Sequence, residues 1–387
     1  MRSSLLRLTA LFGATILAIG CQDGTAPSPT APIAAGPRIA AALAPGAPGS
    51  GIVLDQQTGT LNESGRELAK GFNQPNANPH LGDAVVATFF WTGPATITSV
   101  NDFQTDANRT PIGNTFHLVE SVTAGGVSMA TYVATNVQGY PDPASNPTVV
   151  YAVKATLSDS VSDGGIMISA YSGVASDFTN AFGGHSSGSG ASSSATVSDA
   201  GSIPINAGAV AYGVTMANAL VGRDPPPGYT PFPAGSMSDN VMVAEGDYLL
   251  ASAAGTTDPR WTWGGFSQPG SWLASVVALN PPPHLVFTAQ PKTTLPLVTM
   301  PAVQVTVTDA SGNPVTGYAG TVTIAIGHNG GTLAPGTLSG TKTVAVVNGV
   351  ATFSDLSIDQ LGNGYTLVVT AGGTTGAESA PFDIGVN

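Results

Sequence analysis

The sequence predicts an all-β protein, two antiparallel β-sandwich domains in tandem behind a disordered N-terminal tether. Three observations lead there. Glycine and proline number 49 and 30 among 387 residues, a density that opposes long helices and suits short strands joined by turns. Apolar or alternating runs of five to ten residues recur between turn-forming clusters such as "TGPA", "TAGG" and "YPDPASNP", as in an antiparallel sandwich or barrel. Pro281, Pro282 and Pro283 stand together. They cannot continue a sheet and favour a stiff extended linker, so a boundary belongs at 281–283 between a larger domain, 51–280, and a smaller one, 284–387.

Within the larger domain the expected strands are "DAVVATFFW" (83–91), "TITSV" (96–100), "TFHLVES" (115–121), "SMATYVATNV" (128–137), "TVVYAVKATL" (148–157) and "GIMISAYSGV" (165–174). The period in "SMATYVATNV" is two: Met129, Thr131 and Val133 face one way, Ala130, Tyr132 and Ala134 the other. "NESGRELAKG" (62–71) reads better as a strand, with Leu68, Lys70 and Phe72 on one face, than as a helical turn ended by Gly71. A Ser/Gly-rich loop is expected over 183–194. Strands resume in "AGAVAYGVTMA" (207–217), "MSDNVMVAEGDYLLASAAG" (237–255) and the closing "SWLASVVALN" (271–280). The runs "GDAVVATFFW", "YVATNV", "ISAYSGV" and "SWLASVVAL" together resemble a widespread bacterial extracellular β-sandwich module of unsettled activity, covering roughly 75–280. That resemblance implies fold and location only.

The smaller domain carries "AVQVTVTDASGNPVTGYAGTVTIAI", "TKTVAVVNGVATFSDLSID" and "GYTLVVTAGGTTGAESAPFDI". Turns at Ser311-Gly312-Asn313-Pro314 and Asn348-Gly349 join its alternating strands. The stretch resembles bacterial immunoglobulin-like (Ig-like) domains of the invasin and filamin-like type. Tyr365, soon after Asp359 and opening a late strand, matches a tyrosine corner.

Charged residues make up only 9% and the net charge is -12. The basic residues form no cluster that could displace counterions from a polyanion, which argues against nucleic acid as a partner. Cys21 is the single cysteine, so no intramolecular disulfide and no CxxC pair exists, and folding rests on apolar burial.

That cysteine follows Arg2, Arg7 and an uncharged, mostly apolar segment, Leu8 to Gly20. Thirteen residues are too few to span a bilayer and suit the core of a secretory signal. Ala18-Ile19-Gly20-Cys21 resembles a bacterial lipobox, with Ala18 where leucine is usual and Leu17 one place further back. The resemblance implies a lipoprotein signal peptide over 1–20, lipidation of Cys21 with palmitate-like chains, and a membrane partner at the bacterial cell envelope, in the outer membrane or at the cell surface. The other reading is an ordinary signal peptide, with Cys21 incidental. Residues 21–50, rich in Ala, Pro, Gly, Ser and Thr, form the disordered tether, with a reach of roughly 30 Å.

Motifs for chemistry are few. Gly184-His185-Ser186-Ser187-Gly188 satisfies G-x-S-x-G, but a nucleophile elbow needs a strand turning into a helix, and in "GGHSSGSGASSSA" the match is compositional. Ser238-Asp239-Asn240 and Ser339-Gly340-Thr341-Lys342 echo β-lactamase motifs in reversed order and in different domains. Asp102 with Asp106, and Asp159 with Asp163, are the best calcium-type clusters, yet neither has the spacing of a calcium loop. Aspartates in turns more often bond their own backbone. His80, His117, His185, His284 and His328 form no zinc pattern. No metal, cofactor or enzymatic activity is expected. Trp261 and Trp263 alternate, with Tyr229 and Phe232 not far away in sequence. They are either core residues or a stacking platform for sugar rings. The expectation is therefore a non-catalytic surface lipoprotein acting in adhesion, envelope structure or ligand capture, with carbohydrate binding as the alternative and a secreted hydrolase behind both.

Overall fold

The computed structural model describes residues 51–72, 79–138, 149–192, 197–218, 223–263 and 270–385. Cys21, the signal segment and the tether lie outside them. The described chain is antiparallel β throughout its named pairings, and its one α-helix, α1 (Phe178–Ala181), is a single turn capped by the Asp177 side chain.

Two central six-stranded sheets organise the larger domain. The first holds β1 (Val53–Gly71), β2 (Ala84–Thr92), β3 (Ile97–Gln104), β4 (His117–Ala124), β5 (Val127–Ala134) and β6 (Tyr151–Ser172), in the order β1-β6-β2-β5-β4 with β3 also on β6. Two expected strands, 148–157 and 165–174, are therefore one. The linking "SDSVSDGG" does not turn, because it runs along the irregular middle of β1, where the register slips between Leu61 and Glu67. Bulges of this kind let a strand bend from one layer into another. β6 accordingly pairs with β3 over Tyr151 to Leu157 and with β2 over Gly164 to Tyr171. The stretch 62–71 is strand, as its alternation predicts, with Leu68 and Phe72 buried.

β7 (Phe182–Ser192), β8 (Val197–Asp199), β9 (Ile203–Ile205), β10 (Val210–Ala217), β11 (Arg223–Asp224), β12 (Thr230–Pro231), β13 (Met237–Ser238), β14 (Val243–Leu250), β15 (Gly255–Thr257), β16 (Arg260–Trp263) and β17 (Gly270–Leu279) follow. The second central sheet runs β12-β14-β10-β17-β7, with β13 on β14. Over its described residues, 183–192, the expected loop is thus an edge strand, paired with β17 from Phe182 to Ser192. Its glycines are there because other groups approach closely: a Cβ on Gly188 would run into the Asp199 carbonyl, and one on Gly190 would lie 2.6 Å from Trp272 Nε1. Small residues in a strand mark such approaches as readily as they mark a loop.

The two central sheets bury Val86, Phe90, Met129, Val133 and Met167 of the first against Tyr212, Val214, Met216 and Leu273 of the second. Both outer faces are covered as well. Leu68, Val85, Phe89, Ala130, Tyr151 and Ile168 belong to a second core, and the small sheets β11-β16-β8 and β15-β9 supply residues to a third, with Ala211, Ala274 and Trp261.

Residues 285–384 make a core of their own. A three-stranded sheet, His284–Ala289 with Val303–Thr308 and Val350–Phe353, supplies Leu285, Phe287, Val303, Val305 and Phe353. A four-stranded sheet built on Thr321–Ile326 and Leu367–Ala371 supplies Val322, Ile324, Leu367 and Val369. Asn348 and Gly349 both have positive φ, 50° and 80°, as the tight hairpin turn between them requires. Tyr365 Oη donates to the Gln360 carbonyl at 3.1 Å, the bond of a tyrosine corner.

Since this last core draws on no residue before Leu285, residues 284–387 expressed alone should give a sheet-type circular dichroism spectrum and one sigmoidal unfolding transition. A disordered spectrum would remove the boundary at the prolines.

Candidate functional site

β16 carries Trp261 and Trp263, and Tyr229 and Phe232 flank β12. Trp261 points inward and has no solvent exposure. Its Nε1 donates to Asp247 Oδ2 at 2.6 Å, and Gly213 makes room for the ring, since a Cβ there would sit 3.1 Å from Cζ2. Tyr229 is buried with its hydroxyl 2.8 Å from Thr257 Oγ1, and burial pushes its pKa up to about 12. Phe232 is buried in the core between the central sheets, beside Tyr212 and Tyr248. These three residues therefore form no exposed platform: Phe232 is buried between the central sheets, and Trp261 and Tyr229 in the core on the outer side of the second. The Trp263 side chain lies outside the described residues.

The calcium candidates serve the backbone. Asp102 is buried, and its carboxylate accepts from the amides of Gly113 and Asn114, from Asn114 Nδ2 and from Tyr151 Oη at 2.6 Å. Asp106 accepts from Thr110 N and Oγ1, which hold its carboxyl below the usual range. Asp159 accepts from the Ser160 amide. Asp163 lies on β6 near Asp239, and burial followed by that neighbouring carboxylate raises its pKa. Neither pair belongs to a group of three ligand-bearing side chains among the described residues.

At the seam where β4 and β7, edge strands of the two central sheets, come together, the structure assembles a group that sequence spacing hides. His185 Nδ1 lies 2.7 Å from Glu120 Oε2, and Ser187 Oγ donates to Glu120 Oε1 at 3.0 Å. Both come from the G-x-S-x-G match, which sits within a flat strand rather than at an elbow. Catalysis by a triad needs the imidazole between the nucleophile and the acid. Here the carboxylate stands between His185 and Ser187, and Ser187 fills an x position of the match, whose own serine, Ser186, is the alternate residue of strand β7 on its other face. Beside it His117, Phe178, Phe182 and His185 form a row of rings with centroids 4.2, 5.3 and 5.1 Å apart. The two histidines at its ends are exposed and the two phenylalanines between them partly buried.

A second group lies at the opposite edge of the first central sheet. Leu54 pairs with Tyr171 and Gln56 with Ala170, so Asp55 is the extra residue of a bulge. Pro79 to Asp83 make a tight turn before β2, closed by the Asp83 amide donating to the His80 carbonyl and tied to the body through Val137, whose amide donates to the Asp83 carbonyl at 2.9 Å. His80 Nδ1 is 2.7 Å from Asp55 Oδ2 and 4.0 Å from Asp83 Oδ2, and the His80 amide donates to Asp83 Oδ2 at 2.8 Å. The Asp83 side chain is 4% exposed. Burial, reinforced by the Asp55 carboxylate, pushes its pKa up to about 7. No histidine pattern in the sequence suggested this meeting: 25 residues separate Asp55 from His80, and only the β1–β6 pairing and the turn bring them together.

No family model and no curated protein matches the chain. Among solved structures, that of domains A168-A170 from titin aligns over 86% of this chain and 96% of that one, at 12% identity and a TM-score of 0.15, too low to carry any argument.

Trp261→Ala should lower stability by about 3–5 kcal/mol, as for other large buried side chains, whereas Ser187→Ala, on the partly exposed seam, should change it by less than about 1 kcal/mol; denaturant unfolding of the two variants checks both. Asp83 supplies a pH test. Between its usual value of 3.8 and about 7 the folded chain holds a proton that the unfolded chain releases, so stability falls as pH rises through that window. With a chelator present, the wild-type unfolding midpoint should drop from about pH 4 to about pH 7, and Asp83→Asn should flatten that part of the curve.

Proposed function

We propose that this chain is a non-catalytic, lipid-anchored surface protein of the bacterial cell envelope, in the outer membrane or at the cell surface, acting in adhesion, envelope structure or ligand capture. The observation that carries this reading is Cys21: the single cysteine in 387 residues stands directly after a short apolar segment, where a lipobox needs it. Two or more acyl chains hold a protein stably at a bilayer. The Ala/Pro-rich tether then sets the sandwiches off from the surface.

Two further features support the non-catalytic part. The G-x-S-x-G match lies within strand β7 rather than at a strand-to-helix elbow, and its His185 pairs with Glu120 beside Ser187. The C-terminal domain has a separate sandwich core, in keeping with the resemblance to bacterial Ig-like domains. The carbohydrate alternative loses Trp261, Tyr229 and Phe232 to the interior and keeps no described aromatic platform.

Cys21→Ser should abolish lipidation and release the protein from the membrane fraction. If the variant still loses its first twenty residues and fractionates with membranes as wild type does, the lipoprotein reading fails.

A further inference from the structure

We propose that Asp55, His80 and Asp83 form a binding site for one divalent transition-metal ion of the zinc class. This goes beyond the surface-protein reading and does not depend on it.

The three side chains offer one imidazole nitrogen and two carboxylate oxygens, all within 4.8 Å of one another, and they are the group of three such side chains found among the described residues. In a tetrahedral shell with bonds of about 2.1 Å, neighbouring donor atoms lie roughly 3.4 Å apart. The two distances from His80 Nδ1, 2.7 and 4.0 Å, straddle that value, so small side-chain rotations bring the donors to an ion. Each donor is held by the fold. The bulge turns Asp55 toward the turn, and the His80 amide on Asp83 Oδ2 orients that carboxylate from outside the shell, as ligating carboxylates are commonly oriented.

Charge points the same way. Asp55 and Asp83 make no ion pair with lysine or arginine among the described residues; His80 is their partner. Two carboxylates this close, one of them nine-tenths buried, are costly to ionise together. A divalent ion compensates both. Coordination through His80 Nδ1 requires that nitrogen free of its proton, which leaves Nε2 as the protonated ring nitrogen.

Exposure grades across the site, with Asp83 at 4%, Asp55 at 19% and His80 at 34%. Three protein ligands therefore close the inner side and leave the outer side for water as a fourth ligand. The donor set chooses the class: imidazole suits zinc, nickel and copper, while calcium takes six to eight oxygens.

The test uses the purified protein, stripped with a chelator and dialysed. Equilibrium dialysis against Zn2+ with metal quantification should find one ion per chain, and Zn2+ should raise the thermal unfolding midpoint, whereas Ca2+ at the same concentration should not. Asp55→Asn and His80→Ala should each weaken Zn2+ binding at least about tenfold, and His185→Ala, which removes the other histidine–carboxylate pair, should leave it unchanged. Co2+ gives a visible absorption band that reports the same site in wild type and is lost in His80→Ala. Asp55 and His80 are partly exposed, and a circular dichroism spectrum like that of wild type verifies that both variants fold. No stoichiometric uptake, uptake unaffected by Asp55→Asn or His80→Ala, loss with His185→Ala alone, or an equal effect of Ca2+ would each overturn the assignment.

Discussion

Everything in the larger domain follows from covering both faces of its two central sheets. A sheet with one wet face needs apolar residues only at alternate positions, but β10 is buried at every position from Val210 to Ala217. Its side chains divide by size. Val210, Tyr212, Val214 and Met216 fill the space between the central sheets, while Ala211, Gly213 and Thr215 face the thin outer layer, where Trp261 lies against the glycine. The outer face is made of small residues there because the Trp261 and Tyr229 rings come so near. The same constraint explains the glycines of β7 and the placing of Trp261, so that one packing decision removes the exposed platform and fixes the site's surroundings together.

Burial on both sides also sets where polar groups go. Thr88 Oγ1 lies 2.9 Å from Thr131 Oγ1 and 2.8 Å from Tyr212 Oη, stitching the two central sheets through hydroxyls that would otherwise be stranded in an apolar core. Thr215 Oγ1 donates to the Leu273 carbonyl at 2.8 Å and lies beside Ser198 Oγ. The lysine and arginine ion pairs sit on partly exposed side chains. Lys154 and Arg109 both bind Glu67, whose pKa they lower, and Arg260 bridges Asp199 and Asp258. With so few cations, Asp55 and Asp83 are left to share His80.

Much of this was legible in the sequence, and the limits are instructive. The period of two in residues 128–137 sorts the side chains correctly: Met129 and Val133 enter the core between the sheets, Ala130 and Ala134 the one behind. Alternation works because it is a property of the strand itself. Length and Gly content are less safe guides. The polar centre of β6 reads as a turn and stays extended because β1 accompanies it, and the Ser/Gly stretch reads as a loop and is a strand because neighbours press on both its faces. The two histidine–carboxylate groups were invisible for another reason: Glu120 meets His185 and Asp55 meets His80 through tertiary pairing, at separations of 65 and 25 residues, which no local spacing encodes.

The bent pairing of β1 with β6 has a kinetic corollary. Val53 pairs with Ser172 and Gly71 with Ala152, partners separated by about a hundred residues, so the first strand of the domain has nothing to join until β6 exists. Contacts this distant in sequence carry a large loop-closure entropy and slow folding toward the millisecond-to-second range of non-local β topologies. Until closure, β6 presents a long unpaired edge in a chain with few charges to discourage mispairing. The late docking of β1 is therefore the step at which this domain is most exposed to misassembly.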